Sequence, residues 1–348
     1  MPTPVPVPVD TRTPPLAPAP PTVSVIIPMK NAERTLVRCL TSIAASTHPP
    51  LEVLVIDDGS TDRSCEIAAR FPVRVIPAPR PGGVASARNL GAREARGDIL
   101  FFTDSDVVLG PQTLAAVAHR LADAALDGIV GVQSQKPAFA DFLSDYKNLW
   151  LRYTYLKLDG DLSVLYSSVV AIRRQTFLRV EGFDLHYRRP NIEDSELGKR
   201  LAELGARIRV APEVEVVHLK SYDLGSFLVT DFARSSGLLK VQLRDRFRKL
   251  SRGNYTSIPS TFILSVVLSW TPLAALCVPG NRLRAAAFTA GAVAILIPIL
   301  NLDLIRFLWR FRGPAFVARV LLLFPLDFAA ITLGLGHGFF SYVVGQRW

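Results

Sequence analysis

The sequence predicts an α/β domain with a mostly parallel sheet and helices on both faces, followed by apolar helices long enough to cross a bilayer. Three observations carry this. Short, almost wholly apolar runs at 22–28, 52–56 and 99–102 alternate with segments of helical periodicity. A run with no polar alternation is a strand buried on both sides, as in parallel sheets. The runs end in Pro28, Asp57-Asp58 and, one residue on, Asp104-Ser105-Asp106. In open α/β sheets the carboxyl ends of strands are where ligands sit. Beyond residue 252, charge almost vanishes over three long stretches.

The chain has 348 residues, 49% of them apolar, and a net charge of +10. That length suits two domains, or one domain with an appendage. Much of the positive excess lies at 240–252 and 306–319, beside the apolar stretches. This placement fits a membrane surface, and no zinc-finger spacing or basic stripe with interleaved aromatics points to nucleic acid. Cys39, Cys65 and Cys277 are scattered and odd in number, so a reducing compartment and no disulfide framework are expected.

Residues 1–21 are dominated by Pro, Val, Thr and Ala. Proline fixes φ and removes a donor, so an extended, disordered tail with no cleavable signal peptide is expected. After the strand at 22–28, Leu36, Val37, Leu40 and Ile43 show helical spacing within 33–46. A strand at 52–56, a helix at 62–70 capped by Ser60 or Thr61, and a strand at 73–76 follow. Pro81-Gly82-Gly83 is a loop, and the helix near 84–95 carries Arg88 and Asn89. The strand at 99–102 leads into Asp104 and Asp106. Carboxylates two apart on an extended chain point to opposite sides, so a turn at Ser105 is needed for both to serve one ion. Two such groups held together repel unless a cation lies between them, and Mg²⁺ or Mn²⁺ bridged to phosphate is the usual occupant.

Helices are expected at 111–126, 139–157 and 176–180, and strands at 129–132 and 164–172. Glu193-Asp194 opens a helix at 195–204, closed by Gly205. Strands at 207–210 and 214–217 precede His218.

In this order, Ser24-Val25-Ile26-Ile27-Pro28, Val55-Ile56-Asp57-Asp58-Gly59-Ser60-Thr61-Asp62, Ala87-Arg88-Asn89, Asp104-Ser105-Asp106 and Glu193-Asp194 resemble the motifs of family 2 glycosyltransferases, which have the GT-A fold. The resemblance covers roughly 23–234. It implies a nucleotide-sugar donor, with Asp57 or Asp58 accepting hydrogen bonds from base or ribose; the match favours Asp58 for the base. Pro28 and Asn31 would line the same pocket, and Arg88 would grip the diphosphate with its planar fork. Asp104 would serve both donor and metal, with Asp106 and His218 as further ligands of Mg²⁺ or Mn²⁺. Asp194 matches the general base, and Glu193 either orients it or raises its pKa. Direct displacement by an activated hydroxyl inverts the anomeric carbon. The Gln-x-x-Arg-Trp motif of processive synthases is replaced after His218 by Asp231-Phe232-Ala233-Arg234-Ser235, so transfer of a single sugar is expected.

The implied organisation is a tail (1–21), a GT-A domain (22–235), a basic juxtamembrane segment (236–257) and a transmembrane region (258–343) with spans near 258–278, 285–302 and 320–340. Arg244, Arg246, Arg248, Lys249 and Arg252 precede the first span, and Arg306, Arg310, Arg312 and Arg319 lie between the second and third or at its start. This pattern predicts an integral protein of the cytoplasmic membrane, with the catalytic part cytoplasmic and the C-terminus outside. A lipid-linked or other membrane-proximal glycan acceptor follows from it. Asp327, within a span, should face protein or water. A sugar nucleotidyltransferase and a membrane-anchored, non-catalytic binding protein are the competing readings.

Overall fold

The computed structural model describes residues 20–187, 192–244, 256–277 and 279–346. The expected tail up to residue 19, Asn191, residues 245–255 of the basic juxtamembrane segment, and Arg347-Trp348 lie outside the described residues.

The chain opens with β1 (Val23–Met29), α1 (Leu36–Ala44), β2 (Glu52–Asp57), α2 (Ser64–Ala68), β3 (Arg74–Pro77), α3 (Val84–Glu94) and β4 (Ile99–Thr103). It continues through β5 (Val107–Leu109), α4 (Thr113–Arg120), β6 (Gly128–Gln133), α5 (Phe142–Leu156), β7 (Val169–Arg173), α6 (Arg174–Arg179), α7 (Glu193–Glu203) and β8 (Ile208–His218). The C-terminal part is α8 (Leu224–Arg244), α9 (Ser260–Leu268), α10 (Thr271–Ala275), α11 (Arg282–Leu300), α12 (Leu302–Arg312) and α13 (Pro314–Val343).

The strands form one sheet in the order β3-β2-β1-β4-β7-β6-β8-β5. Its first four strands are parallel. Then β7 pairs antiparallel with both β4 and β6, while β6 and β8 are parallel. Every residue of β1, β4 and β6 is buried, as apolar runs without alternation require. Helix α3 crosses β1 so closely that a Cβ on Gly91 would stand 2.5 Å from Ile26 Cγ2. Two expectations change. The strands at 207–210 and 214–217 are a single strand, β8, whose pairing with β6 shifts register around Val130 and Val132. The strand expected at 164–172 begins only at Val169, because Tyr166, Ser167 and Ser168 form a turn that enters the functional cleft.

The C-terminal helices also differ from expectation. The first apolar run is broken at Ser269–Trp270 into α9 and α10. Pro272 at the start of α10 has no N–H to continue the ladder. Among the described residues two helices, α11 and α13, are long and apolar enough to cross a membrane. Leu283, Phe288, Ile295 and Ile299 of α11 are all exposed. Leaving each uncovered in water forgoes roughly 1.5–3 kcal/mol, so a helix apolar on every side calls for an apolar medium.

Helix α13 has two different faces. Leu322, Leu326, Leu333 and Phe340 are exposed along one. The other packs on α8, where a Cβ on Gly338 would lie 2.5 Å from the Ser236 carbonyl and one on Gly334 2.3 Å from that of Phe232. Asp327 is buried at this contact, facing the buried ion pair of Lys147 and Asp231, so it faces protein. Helix α12 is fastened to α5 at both ends. Lys157 Nζ pairs with Asp303 at 2.6 Å, and Arg312 donates to both oxygens of Asp145 at 2.5 and 2.9 Å.

Candidate active site

The carboxyl ends of β1, β2 and β4 open onto a cleft of about 1280 Å³, closed on its far side by α7, His218 and α8. Single-ligand pockets usually run 300–1,000 Å³, so the volume has room for two substrates. Pro28, Asn31, Asp58, Arg88, Asp104, Asp106, Glu193, Asp194 and His218 all line it. Asp57 is the one expected site residue outside the lining; its Oδ1 accepts from Ser60 N at 2.9 Å and closes the turn after β2.

The end of the cleft beside β1 and β2 is built by loops that hold one another. Asn31 takes a left-handed φ of 51°, a conformation asparagine tolerates better than most residues. Its Oδ1 accepts from Thr61 N at 2.8 Å, fastening the β1 loop to the β2 loop. Asp58 is buried, with Oδ1 accepting from Gly82 N at 2.7 Å and Oδ2 from Gly83 N at 3.0 Å. Gly83, at φ 85°, then turns the chain into α3. Asp58 therefore shapes the loop at the cleft wall, and Lys30 Nζ stands 4.0 Å from its Oδ2.

At the centre, Asp104, Asp106 and His218 each offer a ligand atom, all within 4.8 Å of one another. The turn at Ser105 places both carboxylates on the same side. His218 ends β8, and the pairing of β5 with β8 sets Val107 opposite it. Its Nε2 is 3.1 Å from Asp106 Oδ1 and its Nδ1 is 3.2 Å from the Tyr166 hydroxyl. Burial pushes the Tyr166 phenol up, so it is a neutral partner that fixes the imidazole ring. Two carboxylates and an imidazole fit a divalent cation, and three ligands leave coordination positions open for phosphate.

Arg88 has a different task from the one expected. It is buried, with Nη2 donating to Asp104 Oδ1 at 2.7 Å and Nη1 to Glu193 Oε1 at 3.0 Å. Its guanidinium carbon lies 5.3 Å from the Phe183 ring centre. The fork expected on a diphosphate is spent on two carboxylates, joining the Asp104 turn to α7. Burial would raise the Asp104 carboxyl, but the Arg88 guanidinium, the Ser168 hydroxyl and His218 together outweigh it and hold it below the usual carboxylate range.

Asp194 lies at the start of α7, where Ser195 N donates to its Oδ1 at 2.8 Å and Ser167 N to its Oδ2 at 3.3 Å. Burial, with Glu193 adding to it, pushes its carboxyl up to about 6, although Arg234 and Arg88 pull the other way. A carboxylate near 6 is matched to taking a proton close to neutral pH.

The turn Tyr166-Ser167-Ser168 is absent from the sequence-based site. It nevertheless touches three residues of the centre: Tyr166 meets His218, Ser167 meets Asp194, and Ser168 Oγ donates to Asp104 Oδ2 at 2.5 Å. Two adjacent hydroxyls after an aromatic residue are the only sequence signal it carries.

Residues 24–181 match the glycosyl transferase family 2 model. The glycosyltransferase GlyG of Streptococcus pneumoniae is 32% identical over 114 residues, 31% of this chain and 38% of the relative. A pre-mycofactocin glycosyltransferase of Mycobacterium tuberculosis is 30% identical over 223 residues, 59% of this chain and 44% of the relative. The chain thus spans less than half the length of either relative. The solved structure of the mannosyltransferase PcManGT from Pyrobaculum calidifontis, in complex with GDP-Man and Mn²⁺, superposes with a TM-score of 0.58 at 18% identity, covering 94% of this chain and 87% of that one. At that identity the likeness is one of fold, and it extends over the C-terminal helices as well as the sheet. Motifs in order, a cleft at the sheet's carboxyl edge and the match over residues 24–181 agree: that stretch of the chain is similar to the glycosyl transferase family 2 domain, and the fold is GT-A-like.

Proposed function

We propose that the chain is an inverting, metal-dependent glycosyltransferase that moves one sugar from a UDP- or GDP-sugar to a lipid-linked or other membrane-proximal acceptor. The observation that carries this is one turn, 166–168, bonded to two of the three metal-ligand candidates, Asp104 and His218, and to Asp194 on a single cleft. The mixed oxygen and nitrogen donor set favours Mn²⁺ over Mg²⁺, since imidazole is a better ligand for transition metals. When bound, the cation neutralises the charge that develops on the departing nucleoside diphosphate.

The protein's own groups do the rest. Pro28, Asn31 and the loop pinned by Asp58 form the wall for the nucleoside. Asp104 and Asp106, at the end of β4, face the diphosphate. Asp194 takes the proton from the acceptor hydroxyl as that oxygen attacks the anomeric carbon. Its carboxylate is kept weakly basic by burial and oriented by Ser167 and Ser195. Attack from the side opposite the leaving group inverts the centre, so an α-linked donor gives a β-linked product.

The apolar faces of α11 and α13 support a membrane location, and Arg312 and Asp303 tie α12 to the catalytic domain at the same end of those helices. The test is Mn²⁺-dependent release of nucleoside diphosphate from UDP- and GDP-sugars in the presence of membrane lipids. Release should be lost in Asp106→Ala and Asp194→Asn. Release that survives both substitutions would overturn the assignment.

A further inference from the structure

Helix α12 stands between the two helices that are long and apolar enough to cross a membrane, and it differs from both. Its residues sort onto two faces. Leu304 and Leu308 are buried, while Leu302, Arg306, Trp309 and Arg310 are exposed. At 3.6 residues per turn, those four exposed positions fall within about 100° of one another. Trp309 is 56% exposed, and an indole is suited to a boundary that is apolar on one side and wet on the other. Among the described residues Arg306 and Arg310 make no hydrogen bond, and no carboxylate oxygen stands within 4.0 Å of either. Asp303, one turn before Arg306, is engaged by Lys157 at 2.6 Å, and Arg306 acts on it only at longer range.

The neighbouring helix gives α12 a depth. Helix α11 has 19 residues, about 28 Å at 1.5 Å per residue, close to the thickness of a bilayer's hydrocarbon core. Arg282 and Arg284 stand at its start, and Asn301 joins its end to α12. A chain that leaves the hydrocarbon at Asn301 enters the headgroup layer as α12 begins. The helix cannot swing away from the catalytic domain, because Lys157–Asp303 and Arg312–Asp145 fasten it to α5 at both ends. Its outer face therefore meets the headgroups with two unpaired guanidinium groups, whose stems lie along apolar surface while their heads reach phosphate.

We propose that α12 is a headgroup-binding helix: Arg306 and Arg310 take the phosphates of anionic phospholipids, while Leu302 and Trp309 sit at the edge of the acyl chains. Charge complementarity selects this occupant. Phosphatidylcholine carries a phosphate already balanced by its own ammonium, whereas phosphatidylglycerol presents a net negative charge to the two arginines. Because α12 is fastened to α5, the same contact holds the catalytic domain at the membrane surface. The inference rests on the reading of α11 and α13 as membrane helices and is independent of the chemistry assigned to the cleft.

The experiment titrates the full chain in detergent micelles with brominated phosphatidylglycerol or brominated phosphatidylcholine. Bromine quenches an indole it touches, and subtracting the same titration of Trp309→Phe isolates Trp309 from the other tryptophans. Phosphatidylglycerol should quench Trp309 at lower concentration than phosphatidylcholine, and added salt should weaken only the former. One cation at an anionic surface is worth about fivefold in binding, so the double variant Arg306→Gln, Arg310→Gln should lose about 25-fold for phosphatidylglycerol and nothing for phosphatidylcholine. Unchanged melting shows that the variant is folded. Equal quenching by the two lipids, or a double variant that matches wild type, overturns the inference. Trp309 quenched by neither lipid, with Trp309→Cys cross-linking to its own copy, assigns this face to a second chain and also overturns it. A chain that fails to float with vesicles of either lipid would sink the membrane reading itself, whereas one that floats with both and shows no preference removes only the role of α12.

Discussion

Replacing Arg88 by methionine separates two accounts of this site. If Arg88 gripped the donor, Arg88→Met would weaken nucleotide binding and leave the fold alone. The structure predicts the reverse emphasis. Glu193 is 3% exposed and Arg88 is 2% exposed, with bonds of 3.0 Å to Glu193 and 2.7 Å to Asp104. Methionine fills similar volume but takes the guanidinium away from two carboxylates, the buried Glu193 and Asp104. Breaking a buried pair from one side costs about 3–5 kcal/mol. At about 2–4 °C per kcal/mol for a domain of this size, the melting temperature should fall by roughly 10 °C. The assay is thermal unfolding in detergent, followed by titration with Mn²⁺ and UDP or GDP under conditions where the variant remains folded. A variant that melts within about 2 °C of wild type, a shift worth less than about 1 kcal/mol, while losing nucleotide affinity, would refute this account of Arg88.

Three further outcomes follow from the same geometry. Transfer should rise with pH through about 6 and then level, because Asp194 accepts a proton only when ionised and its carboxyl is raised to about 6; an acid limb that persists unchanged in the residual activity of Asp194→Asn would contradict this. Tyr166→Phe removes the oxygen 3.2 Å from His218 Nδ1, and Mn²⁺ affinity should drop about 10-fold or more, as for other groups that orient a metal-binding histidine; equal Mn²⁺ affinity would count against it. Gly338→Val drives a Cβ to within 2.5 Å of the Ser236 carbonyl, so α13 must move off α8 at a cost of about 1–3 kcal/mol. Amide exchange along α8 should then accelerate, and unchanged exchange would show that the α8–α13 contact does not hold the helix.

What the sequence made legible was local. The runs that became β1, β2 and β4 are apolar on both faces, and the residues at their ends fall where a parallel sheet must place them. Asp104 and Asp106 followed from that alone. Asp58 was placed at the cleft, yet its bonds to Gly82 and Gly83 depend on how the next loop folds back. The fork of Arg88 could meet a phosphate or a carboxylate, and only the approach of α7, 105 residues later, decides between them. Tyr166, Ser167 and Ser168 stayed hidden because their role is set by the antiparallel register of β7 on β4, which brings Val169 opposite Thr103. The break between α9 and α10 did carry a signal, Pro272, outweighed in the reading by the absence of charge around it.

The central claim is that Asp104, Asp106 and His218 hold one divalent cation where the donor's diphosphate arrives. Electron paramagnetic resonance of Mn²⁺ titrated into the full chain with UDP or GDP tests it most directly. The account predicts a nucleotide-dependent Mn²⁺ site that disappears in Asp106→Ala and His218→Ala and persists in Asp194→Asn. A Mn²⁺ signal indifferent to Asp106 and His218 would contradict it.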